Sequence, residues 1–187
     1  MSTTRDVAVL VGSLRRESYT RKLACALADV APASLSFEVV EIGQLPLYNQ
    51  DLEGAQAPAE WVAFRDRVRR ADALLFATPE YNRSVPAALK NAIDVGSRPY
   101  GKSVWQGKPA AIMSVSPGAT GAFGANHHLR QSFVFLDVRV MQSPEAYIGR
   151  VTDLLDDSGT VTNPKTVEFL TGFAAAFAAW IDGLAPR

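Results

Sequence analysis

The sequence predicts an α/β chain in which a parallel sheet is covered by helices on both faces. Two observations lead there. Short β-branched and apolar runs alternate five times with segments whose apolar residues recur at helical spacing. The runs are also apolar throughout, as strands buried on both faces are. Composition fits a single domain over residues 1–187. Of those residues 48% are hydrophobic, and a chain this long buries roughly 70% of its unfolded surface without a disulfide or metal staple.

The elements follow in order. Arg5–Val11 is the first strand, and Leu23, Leu27 and Val30 mark one face of the helix that starts at Tyr19. Ser36–Ile42 reads as a second strand; a loop rich in Pro, Gly and Gln leads to a helix carrying Trp61, Phe64 and Val68. Ala73–Thr78 is a third strand, stopped by Pro79. Pro86 opens the next helix as its first residue, where its missing N–H costs nothing, and Leu89 and Ile93 face inward. Pro109–Val115 is the fourth strand, followed by a glycine-rich turn and a helix through Leu129, Phe133 and Leu136. Val138–Met141 is a short fifth strand. The last helix is capped by Asn163, begins at Pro164 and presents Val167, Leu170, Ala174, Phe177 and Ile181 on one side.

Right-handed crossovers leave few ways to arrange five such strands, and the flavodoxin-like order 2-1-3-4-5 of a three-layer sandwich fits. In that arrangement ligands sit beyond the carboxyl ends of the strands. Equal numbers of basic and acidic residues, 19 of each, argue against a nucleic-acid partner. The longest apolar-rich stretch, Phe169–Ile181, has 13 residues against the roughly 20 needed to cross a bilayer. The single cysteine cannot form an internal disulfide, no Cys/His cluster has zinc spacing, and the expected compartment is the cytoplasm.

Three loops then lie at the carboxyl edge. Gly12 to Thr20 runs from a strand into a helix N-terminus, which favours an anion; Ser13, Ser18 and Thr20 add hydroxyls and Arg15 a planar cationic fork. The spacing is neither that of dinucleotide nor of nucleoside-triphosphate loops. An ordinary polar turn with Ser18 as N-cap is the competing reading. Pro79-Glu80-Tyr81-Asn82-Arg83-Ser84 is bracketed by Pro79 and Pro86, which hold its amides rigid against a flat ligand edge, unless Tyr81 simply plugs the core. In Ser114 to Ala122, Gly118 and Gly121 lack a Cβ, so that a ligand can approach the main chain.

GSLRRES, ATPEYNRSVPAALKNAIDVGSRP and SVSPGATG resemble the NADPH-dependent FMN reductase family, particularly its bacterial quinone and chromate reductases, from Val7 to about Gly149. The resemblance implies a flavodoxin-like fold, bound FMN with NAD(P)H as co-substrate, and homodimers or homotetramers. By position, Ser13, Leu14, Arg15, Ser18, Tyr19 and Thr20 would meet the cofactor, with Ser13, Arg15, Ser18 and Thr20 on its phosphate. Pro79, Glu80, Tyr81, Asn82 and Ser116 would line the isoalloxazine, and Gly118 and Gly121 are further cofactor-binding candidates. Two positions depart from the family: Thr20 stands where Asn is common and Val95 where Trp is. The implied activity passes hydride from NAD(P)H through the flavin to a small-molecule acceptor (a quinone, chromate, an azo or nitro compound, or free flavin) by a ping-pong route. The cofactor carries that chemistry, and no side chain is expected to act as acid or base.

A flavodoxin-like electron carrier and a regulatory receiver-like module are the rival functions. Carriers are usually acidic, and receivers need an acidic cluster where this chain has Gly12-Ser13. Cys25 reads as a buried structural thiol; the residue six beyond it is Ala31, which excludes the Cys-x5-Arg loop of small tyrosine phosphatases. His127 and His128 suggest a surface or subunit-contact role, and Asp72 and Asp94 helix-end or solvent carboxylates rather than metal ligands. Arg65, Arg67, Arg69 and Arg70 suggest a solvated face. Phe169, Phe173 and Trp180 suit either a subunit interface or core packing.

Overall fold

A computed structural model of the protein describes residues 4–184. The chain runs β1 (Arg5–Val11), α1 (Tyr19–Asp29), β2 (Leu35–Val39), α2 (Ala59–Arg70), β3 (Ala73–Thr78), α3 (Ala87–Gly96), β4 (Pro109–Val115), α4 (Phe123–Phe135), β5 (Arg139–Val140), β6 (Ala146–Ile148) and α5 (Pro164–Leu184). All described pairings between these strands are parallel, in the order β2-β1-β3-β4-β5. The expected order is therefore present, with one addition. β6 also pairs β4, at Met113–Val115, while β5 pairs Pro109 and Ala110. The fifth sheet position is shared by two short pieces. Between them stands Pro144, which has no N–H to give a ladder.

Successive residues of the central strands point to opposite faces, and both faces are buried. Val7, Val9 and Val11 with Leu75 and Met113 meet α1 and α5 on one side. Ala8 and Leu10 with Leu74, Phe76 and Ile112 meet α2, α3 and α4 on the other. β2 is different: it is shorter than expected, and its residues alternate between partly buried and exposed because it is an edge. The sequence reading of uniformly buried strands fails there. Val40 and Ile42, expected inside that strand, are buried in the core just beyond it.

Ser18 caps α1 by accepting from the Arg21 N–H at 3.1 Å, and Asn163 accepts from the Thr166 N–H at 3.1 Å to start α5. Pro86 sits one place earlier than expected: its ψ of 143° is extended, so it is the cap residue, and its carbonyl accepts from the Lys90 N–H. α5 extends well beyond the 13-residue apolar stretch. It is long and apolar enough to cross a bilayer by length and composition alone, yet Leu170, Phe173, Ala174, Phe177 and Ile181 are buried against the sheet. Phe173 thus belongs to the core, and Trp180 donates its Nε1–H to the Arg139 carbonyl at 2.8 Å.

Two further expectations need correction. Cys25 is exposed, because on α1 it falls between the inward Leu23 and Leu27. Arg65 is buried rather than solvated, at 5% exposure. Its Nε–H donates to the Val95 carbonyl at 2.8 Å, its Nη2 reaches Glu53 at 2.6 Å, and its guanidinium lies 5.5 Å from the Trp61 ring centroid. The other three arginines are less buried. Arg67 joins Asp6 and Glu38, and Arg69 pairs with Asp66 on its own helix. Val95, where the family often has Trp, is fully buried, so the departure is absorbed by packing. Asp72 accepts from the Asp6 N–H and Asp94 pairs with Lys90, as helix-end and solvent carboxylates do. Among the described residues no cluster of three metal-ligating side chains occurs.

The Arg65–Glu53 pair holds the segment between β2 and α2 onto the sheet layer, together with Asn91 of α3. The Asn91 Oδ1 accepts from the Tyr48 N–H, and its Nδ2 donates to the carbonyls of Leu45 and Pro46. Arg65→Ala strands a mostly buried carboxylate and a buried carbonyl, which should cost about 3 kcal/mol. The expected readout is a lower urea midpoint with an unchanged denaturant slope.

Candidate functional site

The first loop leaves β1 with its hydrogen-bonding capacity unspent. Gly12 still donates to the Ala77 carbonyl at 2.8 Å, but from Ser13 to Thr20 no main-chain N–H finds a partner among the described residues. Ser13, Ser18 and Thr20 are buried, at 4%, 1% and 2% exposure. The Ser18 oxygen is taken by its capping bond, which leaves its proton free to donate. The hydroxyls of Ser13 and Thr20 bond to nothing among the described residues. The Arg15 guanidinium is exposed and lies 5.6 Å from the centroid of the Tyr19 ring. Glu17, the acidic residue of this loop, is tied to Lys22 at 2.7 Å, so its charge is compensated. What remains is a ring of donors at the positive end of α1, the chemistry that holds a phosphate dianion.

The second and third loops close over it. A cavity of ≈ 120 Å³ is lined by Ser13, Arg15, Tyr19 and Thr20 from the first loop, Pro79, Glu80 and Tyr81 from the second, and Val115, Ser116 and Pro117 from the third. Beside it an open, largely apolar cavity of ≈ 450 Å³ is bounded by Gly12, Leu14, Arg15, Tyr81 and the start of α3 at Pro86–Ala88. Tyr81 is 48% exposed, so it does not plug the core; it stands between the two spaces. The fit to a flavin mononucleotide rests on these features: unpaired donors for a phosphate, and an apolar slot for a flat ring. Val115, Pro117 and the α3 residues are additions that sequence motifs did not flag.

Ser18, Asn82, Gly118 and Gly121 do not line these cavities; Ser18 borders a separate surface cavity with Arg16, Arg21 and Lys22. Asn82 and Arg83 form the tip of a tight turn, with φ of 51° and 63°, closed by reciprocal bonds between Tyr81 and Ser84. The Gly118 N–H donates to the Ser116 hydroxyl at 2.9 Å, shaping the third loop from within. The missing Cβ of Gly121 serves packing rather than ligand approach. Its φ is +58°, and a Cβ there would lie 2.5 Å from the Tyr147 carbonyl carbon of β6.

Glu80 has a role that its type alone did not suggest. Its carboxylate accepts the Ala125 N–H at 3.1 Å, capping the first turn of α4 from the second loop. Gly124 allows the approach, since a Cβ there would stand 2.8 Å from the Arg83 carbonyl oxygen. An isolated glycine inside a helical stretch was the available signal. His128 adds a third tie, its Nδ1 being 2.9 Å from the Ser84 hydroxyl. His127 packs with Phe123 at 4.1 Å between ring centroids and lies 3.0 Å from the Tyr147 hydroxyl, which donates to Glu145 at 2.6 Å. Both histidines are exposed, as expected of surface residues.

The family model described as NADPH-dependent FMN reductase matches residues 5–153. The chain is 61% identical over 181 residues to a quinone reductase of Pseudomonas putida, covering 97% of each protein. It is 47% identical over 175 residues to a 2-hydroxy-1,4-benzoquinone reductase of a Burkholderia species, covering 94% of this chain and 95% of that one. A solved flavoenzyme NAD(P)H:(acceptor) oxidoreductase from Paracoccus denitrificans superposes with a TM-score of 0.90 at 44% identity, over 96% of this chain and 98% of the other.

Burial, and after it the bond to Glu145, push the Tyr147 phenol up to about 12. The unfolded chain ionises this group near the ordinary tyrosine value of 10.0, so the contribution to stability is complete below that pH and is lost as pH climbs through about 12. Ultraviolet titration should show one late-ionising tyrosine, absent in Tyr147→Phe. Glu145→Gln should bring it partway down, leaving the part owed to burial.

Proposed function

This chain belongs to the NADPH-dependent FMN reductase family, and we propose that the open slot beside the Arg15 loop holds the flavin ring and, stacked in turn on its exposed face, a nicotinamide donor and a quinone acceptor. The protein is an FMN-dependent NAD(P)H oxidoreductase that delivers electrons to a small-molecule acceptor. The observation that carries the site assignment is the run of unpaired donors from Ser13 to Thr20 opening into a space bounded by all three loops.

Bound there, FMN would supply the two-electron redox chemistry between NAD(P)H and the acceptor; reduction of a quinone to hydroquinone consumes, in net, the hydride and one proton from water. The residues supply place and polarity. Arg15, Ser13, Ser18 and Thr20 anchor the phosphate, with the α1 N-terminus behind them. The Glu80 N–H, unpaired among the described residues, favours negative charge along a ring edge, and it needs no reorganisation to do so because the Glu80 carboxylate is fixed to α4. The slot next to Leu14, Tyr81 and Ala87 is largely apolar and has Arg15 as its cation, which suits a flat quinone better than a free dianion such as chromate.

The described chain is read as one flavin-binding unit that self-associates as a dimer or tetramer. Support for association comes from large apolar side chains left in water at Tyr100, Val134 and Phe135, 83–87% exposed. Sedimentation of the FMN-loaded protein tests it, and a monomer at micromolar concentration would refute it.

Two measurements test the activity and its site. Double-reciprocal plots with NADPH and benzoquinone should be parallel; intersecting lines would mean that both substrates bind together. Arg15→Ala should weaken FMN binding by roughly 10- to 100-fold, the worth of a charge-assisted phosphate contact, read by fluorescence quenching on titration of the apoprotein.

A further inference from the structure

The turn that ends the second loop carries an arginine where one is costly. Arg83 has φ of 63°, a left-handed conformation that side chains other than Gly, Asn and Asp rarely adopt. Asn82 before it, at 51°, is a residue suited to such a turn; Arg83 is not. Its side chain is 84% exposed, and its nearest carboxylate, Glu80, is 3.8 Å away and already engaged with the α4 N-terminus. An unfavourable backbone position thus displays a weakly paired cation on the loop whose Glu80 and Tyr81 border the flavin slot. Strain at such a place points to use rather than to folding.

A second feature adjoins it. The first turn of α4 is packed on this loop, with Gly124 against the Arg83 carbonyl, and the neighbouring Phe123 is 52% exposed. Phe123 does not stand alone. His127 lies 4.1 Å and Tyr147 5.3 Å from it between ring centroids, and His127 is held in place by the Tyr147 hydroxyl. An aromatic shelf thus adjoins the turn that carries the weakly paired Arg83.

We propose that this shelf and Arg83 bind the adenosine half of NAD(P)H, the adenine base against Phe123 and His127 and a phosphate on Arg83. This rests on the reading of the protein as an NAD(P)H oxidoreductase. The slot beside Tyr81 is large enough for a nicotinamide ring, so the rest of the dinucleotide must leave it across the rim. A purine has a π face for stacking, and a phosphate matches the guanidinium fork.

The test uses the FMN-loaded enzyme and two hydride donors, NADPH and N-benzyl-dihydronicotinamide, which lacks adenosine and phosphates. Phe123→Ala and Arg83→Asn are the variants, the second chosen because Asn tolerates the left-handed turn. Each should raise KM for NADPH by roughly five- to thirty-fold with kcat and bound FMN unchanged, while KM for the truncated donor stays put. With Arg83→Asn, an effect on NADPH but not NADH assigns the contact to the 2′-phosphate; an equal effect on both assigns it to the pyrophosphate. Equal shifts for NADPH and the truncated donor, or no shift for either, overturn the proposal. If the unaltered enzyme oxidises neither donor, the oxidoreductase reading falls and takes the proposal with it.

Discussion

Main-chain pairing of β1, β3 and β4 is the constraint on which the site depends. Val11 is in register with Ala77, and Thr78 with Ser114, so the three central strands finish within a residue or two of one another. Parallel strands that end level must release their loops at the same edge. Gly12, Pro79 and Ser116 consequently emerge side by side from a base that is buried on both faces. The donors of the first loop stay unpaired because the sheet beneath them has ended and α1 has just begun.

Placement alone would leave the second and third loops mobile, and the structure shows how they are restrained. Glu80 and Ser84 are tied to α4, while the third loop is laced to β6 through bonds from Ser116 to Ile148, from Arg150 to Gly118 and from Val151 to Ser116. Gly121, Gly124 and Gly149 let these backbones approach within distances that a Cβ would block. The main chain of both loops is therefore fixed before any ligand arrives, the condition under which oriented N–H groups act most strongly on developing charge.

Much of this was legible in the sequence, for physical reasons. Apolar runs stopped by Gly12, Pro79 and the Pro117-Gly118 pair located the central strands and their loops, because strand burial and chain reversal each require particular residue types. Edges and pairings across the chain were harder to read. The division of the fifth strand depends on which residues on either side of Pro144 pair with β4, and the exposure of Cys25 on which side of α1 faces the sheet. Arg65 illustrates the limit best: four arginines in six residues look like a solvated face, and only tertiary contact shows that one of them is surrounded by Trp61, Glu53 and the Val95 carbonyl. The capping duty of Glu80 and the packing duty of Gly121 are likewise relations between elements distant in sequence.

The shared fifth strand has a consequence for how copies of the chain can meet. One flank of the sheet is broken into pieces of two and three residues, and the other is a five-residue strand carrying Ser36 and Glu38 outward. Neither flank gives a neighbour a long, straight ladder to zip onto, a protection against fibre-like stacking that open sheets need. Any lasting union of two copies is left to their helical flanks.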